Sequence, residues 1–181
     1  MKERKCIHPR KAYNLMKTFL NDASDLHYAD DENNLFKTEI ILKKSDSFKT
    51  ESGDSLADSE ELEVNYNFQD LCSNGAKIFR ACWTRRVPCL KGFSDATLAL
   101  LHELGHLETN DKVREYFPYF MRELTMVGIE NVATCLEEAN AMYFLMPDEK
   151  AATEWAINWL SKKENSKKAK LFEKEFFKCF E

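Results

Sequence analysis

Residues 95–108 read Asp-Ala-Thr-Leu-Ala-Leu-Leu-His-Glu-Leu-Gly-His-Leu-Glu, and the pentapeptide His-Glu-Leu-Gly-His at 102–106 decides the fold. Good helix formers with an apolar stripe precede the pentapeptide, which predicts a helix over about residues 94–109. Residues four apart share one face of a helix, so His102 and His106 would offer two imidazoles to one point. That arrangement provides two of the three protein ligands of a catalytic zinc ion, whose fourth position is left for water.

Glu103 stands between the two histidines and can serve as the general base toward the water at the metal. Histidine is scarce in this chain, which has four, and two of them belong to this motif. The alternative is a helix with two incidental histidines on a buried face. The pattern favours a metal site, with His102 and His106 as ligands and Glu103 as the catalytic residue.

Composition limits the classes to which the protein can belong. The 181 residues are 44% hydrophobic, which is enough for one substantial core, so we expect a single domain over 1–181. A net charge of −5 provides no basic surface for nucleic acid, and no apolar run is long enough to span a membrane. The first five residues are charged without an apolar stretch behind them, so we expect no secretory signal and a cytoplasmic location. The six cysteines form no CxxC pair and are predicted to be reduced.

Hydrophobic periodicity predicts an α+β domain, with a small antiparallel or mixed sheet of about three strands packed with five to six helices. Strands are predicted at residues 35–43, 62–68 and 76–83. Besides the metal helix, helices are predicted at residues 9–22, 118–127, 129–146 and 147–160, and after Ser166. The polar, acidic segment 45–61 lacks periodicity and is predicted to be a mobile loop.

A catalytic zinc ion needs a third protein ligand, and the residues alone leave its identity open. The extended motif HExxHxxGxxH is absent, because positions 109 and 112 are Thr and Lys. The ligand is then an acidic residue on a later helix. The candidates are Glu137, Glu138, Asp148, Glu149 and Glu154.

Residues 97–106, Thr-Leu-Ala-Leu-Leu-His-Glu-Leu-Gly-His, resemble the metal helix of the ImmA/IrrE family of zincin-like metallopeptidases, which typically reads T-L-A-H-E-L-G-H. In that family the third ligand is a Glu in a downstream pattern of the type E-x-x-A-N-x-F-A. Residues 149–156, Glu-Lys-Ala-Ala-Thr-Glu-Trp-Ala, are similar, with Thr153 in place of Asn. The resemblance therefore implies a zincin-like fold with the metal helix at its centre and Glu149 as the third zinc ligand.

Glu138 remains the alternative third ligand. Residues 138–145 also carry Ala three positions and an aromatic residue six positions after the Glu, but have Leu where the second Ala belongs. In the pattern at 149–156 the small alanines would let one helix approach the metal helix closely, so that Glu149 projects between the two.

The resemblance implies a zinc-dependent endopeptidase that hydrolyses a peptide bond in a protein substrate, such as a transcriptional repressor or another regulator. Family members are commonly encoded on mobile elements or in stress-response operons. Many carry an additional helix-turn-helix or sensor domain, for which this chain has no room, so we expect a minimal, catalytic-domain-only member. The strand at 76–83 would border the cleft and pair with substrate. Tyr119, Tyr143 and His27 are candidates for stabilising the oxyanion.

Two other functions fit the same residues. A regulatory or binding module could keep the metal fold and dock a partner through the acidic segment 45–61, with catalysis dispensable. A pure binding module has no need for Glu103, which weighs against it. A metal-dependent hydrolase could also act on a non-peptide carbonyl, because the ligand set does not determine the substrate.

Overall fold

A computed structural model of the chain describes residues 5–44, 49–50, 61–66, 87–114 and 147–181. These residues form a mixed α+β arrangement that is mostly helical, with four α-helices and five short strands. The helices are α1 (Pro9–Ala23), α2 (Asp95–Arg114), α3 (Pro147–Ser161) and α4 (Lys163–Phe176). The strands are β1 (His27–Ala29), β2 (Leu35–Lys37), β3 (Glu39–Lys44), β4 (Lys49–Thr50) and β5 (Glu61–Tyr66). Two 3₁₀ helices, Pro88–Gly92 and Phe177–Cys179, precede α2 and follow α4.

The predicted helices at 9–22 and 147–160 are confirmed as α1 and α3, and both begin at a proline. Proline suits the first helical position, where its missing N–H has no partner to lose. The number of described helices is below the predicted five to six, because the helices predicted at 118–127 and 129–146 lie outside the described residues.

Two predicted helix ends are wrong. The metal helix was expected to end at Asn110-Asp111, but α2 continues to Arg114. Asn and Asp each cost at most roughly 0.7 kcal/mol relative to alanine, which is too little to end a helix supported by packing. The last helix begins at Lys163 rather than after Ser166, and Lys162 before it is the N-cap residue in an extended conformation.

The strand predicted at 35–43 is divided into β2 and β3. Thr38 lies between them, is buried, and donates its backbone N–H to the carbonyl oxygen of Leu26 at 2.9 Å. β2 then pairs antiparallel with β1, while β3 pairs with β5, so the two halves belong to different sheets. A change of partner within nine residues has no signature in hydrophobic periodicity.

The second sheet is mixed, as predicted, but its strands are shorter than expected. Its order is β3-β5-β4, with β3 parallel and β4 antiparallel to the central β5. β5 corresponds to the strand predicted at 62–68. β4 falls inside segment 45–61, so the prediction of a loop there is wrong at Lys49–Thr50; most of that segment lies outside the described residues, as does the strand predicted at 76–83.

The core is built around α2, whose residues are all buried from Ala96 to Gly105. A helix buried on every side must be covered by several elements at once. α3 packs against one side of α2. Side chains of α1 and α4 join those of α2 and α3 in one cluster of buried residues. In that cluster the ring of Phe19 stacks on Phe172 with centroids 4.3 Å apart and meets Trp159 edge-on.

Buried polar anchors fix α1 to its neighbours. The Asn21 amide donates to the carbonyl oxygen of Ile40 and accepts the Ile40 N–H at 2.9 Å, so it replaces a strand partner for β3. One carboxylate oxygen of Glu108, on α2, accepts the hydroxyl of Ser24 and the N–H of Asp25. Burial raises the pKa of Glu108 above its ordinary value, although these two hydrogen bonds act in the opposite direction.

Within the described ranges, no helix combines the length and the apolar character that crossing a membrane requires. Cys6 and Cys179 form no disulfide. The other four cysteines lie in parts of the chain whose side chains are not described.

Candidate metal centre

Three side chains from two helices converge on one point. His102 and His106 come from consecutive turns of α2, and Glu149 comes from the first turn of α3. The Nε2 atom of His102 lies 2.9 Å from Oε2 of Glu149 and 3.1 Å from Nε2 of His106. The Nε2 atom of His106 lies 3.6 Å from Oε1 of Glu149. The three ligand positions predicted from sequence are therefore adjacent in space.

These separations fit a tetrahedral metal ion. Zinc binds imidazole nitrogen and carboxylate oxygen at about 2.0–2.2 Å, so two ligand atoms at the tetrahedral angle lie about 3.3 Å apart. The two imidazole nitrogens lie 3.1 Å apart, and each lies close to a different oxygen of Glu149, at 2.9 Å for His102 and 3.6 Å for His106. Small adjustments of the side chains would place both nitrogens and one carboxylate oxygen at bonding distance from one ion.

The chemistry of the donors also fits a divalent cation. Each neutral imidazole has one lone pair on a ring nitrogen, and a carboxylate offers only acceptors. His102 is fully buried and Glu149 is 5% exposed, so water does not solvate this cluster freely. A positive charge at the common point would satisfy all three donors. Imidazole with carboxylate is a ligand set suited to zinc and to several other divalent ions.

The side chain of His106 is the most exposed of the three, at 20% against 1% for His102 and 7% for Glu149. The two imidazole rings meet edge-to-face, with centroids 4.6 Å apart. The cluster is therefore most open to solvent beside His106.

Close approach of the two helix backbones brings the ligands together. Gly105 of α2 lies against Ala152 of α3, and a Cβ atom added to Gly105 would come within 2.9 Å of the Ala152 Cα atom and still closer to its carbonyl oxygen. Only glycine permits this contact. Glu149 stands one turn before Ala152, and the histidines flank Gly105, so the contact sets the distance between the ligands.

Thr153 makes a second contact with the site. Its Oγ1 atom lies 3.2 Å from Nδ1 of His102, the ring nitrogen that faces away from the other ligands. A histidine that binds metal through Nε2 carries its proton on Nδ1, and an acceptor at that position holds the ring in orientation. In this chain the Thr153 hydroxyl oxygen is placed to accept a hydrogen bond from the Nδ1–H group of His102.

Glu103, the predicted base, is 7% exposed and lies on α2 directly after the ligand His102. Its carboxylate is not one of the three converging donors. The role of Glu103 as general base stays a prediction from the motif.

The remaining sequence candidates do not join the cluster in the part of the chain that the structure describes. Glu154 is exposed on α3 and lies 3.8 Å from Lys150. His27 is exposed on β1, where its Nδ1 atom lies 2.7 Å from the carbonyl oxygen of Asp25. Glu137, Glu138, Tyr119, Tyr143 and the side chain of Asp148 lie outside the described residues.

Two features of the site had no role in the sequence predictions. Gly105 was read only as a variable position of the motif, yet glycine inside a helix costs about 1 kcal/mol and so signals a packing requirement. Thr153 was identified only as a departure from the family pattern. Thr153 lies four residues after Glu149, so both side chains share one face of α3. That spacing indicates that Thr153 can contact the metal centre.

Comparison of the chain with protein-family models, with curated proteins and with solved structures gave no match. The properties of the centre are therefore inferred from its own geometry and from the two motifs.

Replacement of Gly105 by alanine should destabilise the protein. Alanine would favour an ordinary helix interior by roughly 0.5–1 kcal/mol over glycine. Here the added methyl group meets the Ala152 backbone, which cannot rotate aside as a side chain can. We expect Gly105→Ala to lower the free energy of unfolding by about 1–3 kcal/mol, the usual cost of overpacking, in urea titrations.

Gly92→Ala is the control, because a Cβ atom there meets only the Lys170 ammonium, at 3.7 Å. A Gly105→Ala protein as stable as the wild type would contradict the close crossing of α2 and α3.

Proposed function

We propose that the protein is a zinc-dependent endopeptidase with a zincin-like arrangement around α2. His102, His106 and Glu149 hold the metal, and Glu103 is the general base. The observation that carries the proposal is the convergence of two imidazole nitrogens and a carboxylate beside the sequence motif that supplies a base. The position of α2 in the core supports the central metal helix that such an architecture requires.

A zinc ion at this centre supplies Lewis acidity toward a peptide carbonyl and lowers the pKa of water. The residues of the chain provide the remaining functions. Glu103 takes a proton from the attacking water and returns it to the amine that leaves. His106 borders the open side and directs access, while Thr153 keeps the ring of His102 in the orientation that presents Nε2.

The resemblance to ImmA/IrrE metallopeptidases supports a protein substrate, and a transcriptional regulator is the class it suggests. The open side at His106 is compatible with an extended chain reaching the centre. The same centre would suit a non-peptide carbonyl, so the substrate class depends on the family likeness alone.

The zinc content of the purified protein should depend on each of the three ligands. We expect one zinc ion per purified chain by mass spectrometry of the elements, and loss of that ion in His102→Ala and in Glu149→Ala, because two ligands do not hold zinc tightly. Glu154→Ala is the matched control on the same helix, since its side chain is 61% exposed and pairs with Lys150.

Glu138→Ala should also keep the zinc ion. Loss of zinc in that variant, together with retention of zinc in Glu149→Ala, would identify Glu138 as the third ligand instead of Glu149. A wild-type protein that binds no divalent ion would contradict the metal centre and the peptidase with it.

Glu103→Gln should keep the zinc ion and lose cleavage. Glutamine has the shape of glutamate but cannot take the proton from water, and removal of a general base costs about 10²–10⁴-fold in rate. Cleavage of a proteome-derived peptide library, with new termini read by mass spectrometry, would be compared between the variant and the wild type. Undiminished cleavage by Glu103→Gln would exclude Glu103 as the general base. A biological effect of the protein that survives the substitution would instead identify a binding module.

Thr153→Val should weaken zinc binding about 10–100-fold, the usual effect of losing a partner of a metal-bound histidine. Valine matches threonine in shape but offers no acceptor to Nδ1 of His102. Thr153→Ser restores the hydroxyl and should restore most of the affinity. The dissociation constant is measured by competition with a chromophoric chelator at pH 7. Equal weakening by both substitutions would show that Thr153 acts through packing instead.

A further inference from the structure

A row of lysines follows the solvent side of α4. Lys163, Lys167, Lys170 and Lys174 succeed one another at spacings of four, three and four, and Lys178 continues the row in the 3₁₀ turn after α4. Residues at these spacings share one helix face, and all five lysines are exposed. We call these five residues the lysine stripe. At 1.5 Å per residue the stripe is about 22 Å long.

The local charge of this part of the protein is opposite to that of the whole chain. Residues 162–178 contain seven lysines and three glutamates, which is a net charge of +4, whereas the whole chain has a net charge of −5. The charge is therefore unevenly distributed over the surface. The expectation from net charge alone, that no basic surface serves nucleic acid, does not extend to the exposed face of α4.

The three glutamates of this stretch leave most of the stripe uncompensated. Glu173 lies 3.3 Å from Lys170 and Glu175 lies 2.6 Å from Lys178, so each of these two lysines has an acidic partner. Glu164 is exposed in the first turn of α4. The other three lysines of the stripe form no ion pair with any residue that the structure describes.

A lysine from a second element extends the basic surface. Lys91 is exposed on the 3₁₀ helix Pro88–Gly92. A Cβ atom added to the adjacent Gly92 would lie 3.7 Å from Nζ of Lys170, and the Lys170 ammonium lies 4.3 Å from the centre of the Phe93 ring. The basic surface therefore results from the packing of two elements and not from one helix alone.

We propose that the lysine stripe binds the phosphate backbone of a double-stranded nucleic acid without reading its sequence. Lysine is a point charge that binds phosphate from many directions, so a straight row of ammonium groups suits the regular charges of a duplex. About six phosphates of each strand lie along a duplex as long as the stripe, at 3.4 Å per base pair. The exposed side of α4 carries no Arg, Asn or Gln, the side chains that commonly read guanine and adenine edges.

Three other partners fit this face less well. Lysine is depleted in protein–protein interfaces, whose centres are apolar, and Leu171 is the one large apolar side chain exposed on α4. A single strand is held by stacking on aromatic rings, which the stripe lacks. An amphipathic helix binds a membrane by inserting its apolar side, but the apolar side of α4, with Phe172 and Phe176, is buried in the core.

Duplex binding does not depend on the proposed peptidase activity, because no lysine of the stripe is a metal ligand. The test is fluorescence anisotropy of a labelled DNA duplex of about 20 base pairs with the full chain, with zinc and with a chelator. We expect a dissociation constant of about 1–100 µM, and a slope of about −3 to −5 for the logarithm of the binding constant against that of the salt concentration. A duplex of another sequence should bind equally.

Lys167→Gln combined with Lys174→Gln removes two charges from the middle of the stripe. This double variant should bind the duplex about tenfold or more weakly, with a salt slope shallower by about two. Lys17→Gln combined with Lys150→Gln is the matched control, since it changes the net charge equally on α1 and α3. The control should keep the slope of the wild type. Circular dichroism verifies that both variants fold.

Absence of duplex binding at about 50 mM salt would overturn the proposal. So would a salt slope that the stripe variant leaves unchanged, or an equal loss of binding in the control. Tighter binding to a single strand, to vesicles containing phosphatidylserine or to a glutamate peptide than to the duplex, at equal salt, would also overturn it and would assign the stripe to that partner.

Discussion

The backbones of α2 and α3 touch at Gly105 and Ala152, and the metal centre depends on that contact. The carboxylate of Glu149 reaches the Nε2 atom of His102 because Gly105 leaves no side chain between the two helices at their crossing. One methyl group at Gly105 would meet the Ala152 backbone, so α3 would have to move away from the ligands on α2. Backbone packing, rather than any flexible side chain, therefore sets the ligand geometry.

This arrangement places polar donors inside a helix that is otherwise surrounded by the core. A buried polar group costs free energy unless it is paired, so His102 and Glu149 need partners that are equally fixed. Thr153 contacts Nδ1 of His102, the Nε2 atom of His102 lies 2.9 Å from Glu149, and a metal ion at the common point would bind both of these side chains. Because its ligands come from two helices, such an ion would also tie α2 to α3, and its binding free energy would count toward folding.

The sequence predicted the parts of the site that follow from local spacing. The histidines are one helical turn apart, and Glu149 lies in the first turn of a helix with alanines in the positions that close packing needs. The broken strand at Thr38 was not predictable, because its cause is a hydrogen bond to Leu26, a partner that periodicity does not identify. The extension of α2 past Asn110 was missed because packing outweighed the weak preferences of two polar residues.

The metal centre is separate from an apolar groove between α1 and α4, which is lined among others by Leu15, Leu171 and Phe172, yet α4 connects the two. The backbone N–H of Ser94, which precedes α2, donates to the carboxylate of Glu173 on α4. Glu173 therefore joins the start of α2 to α4, the helix whose Leu171 and Phe172 line the groove. The opening of the centre beside His106 involves none of the residues that line the groove.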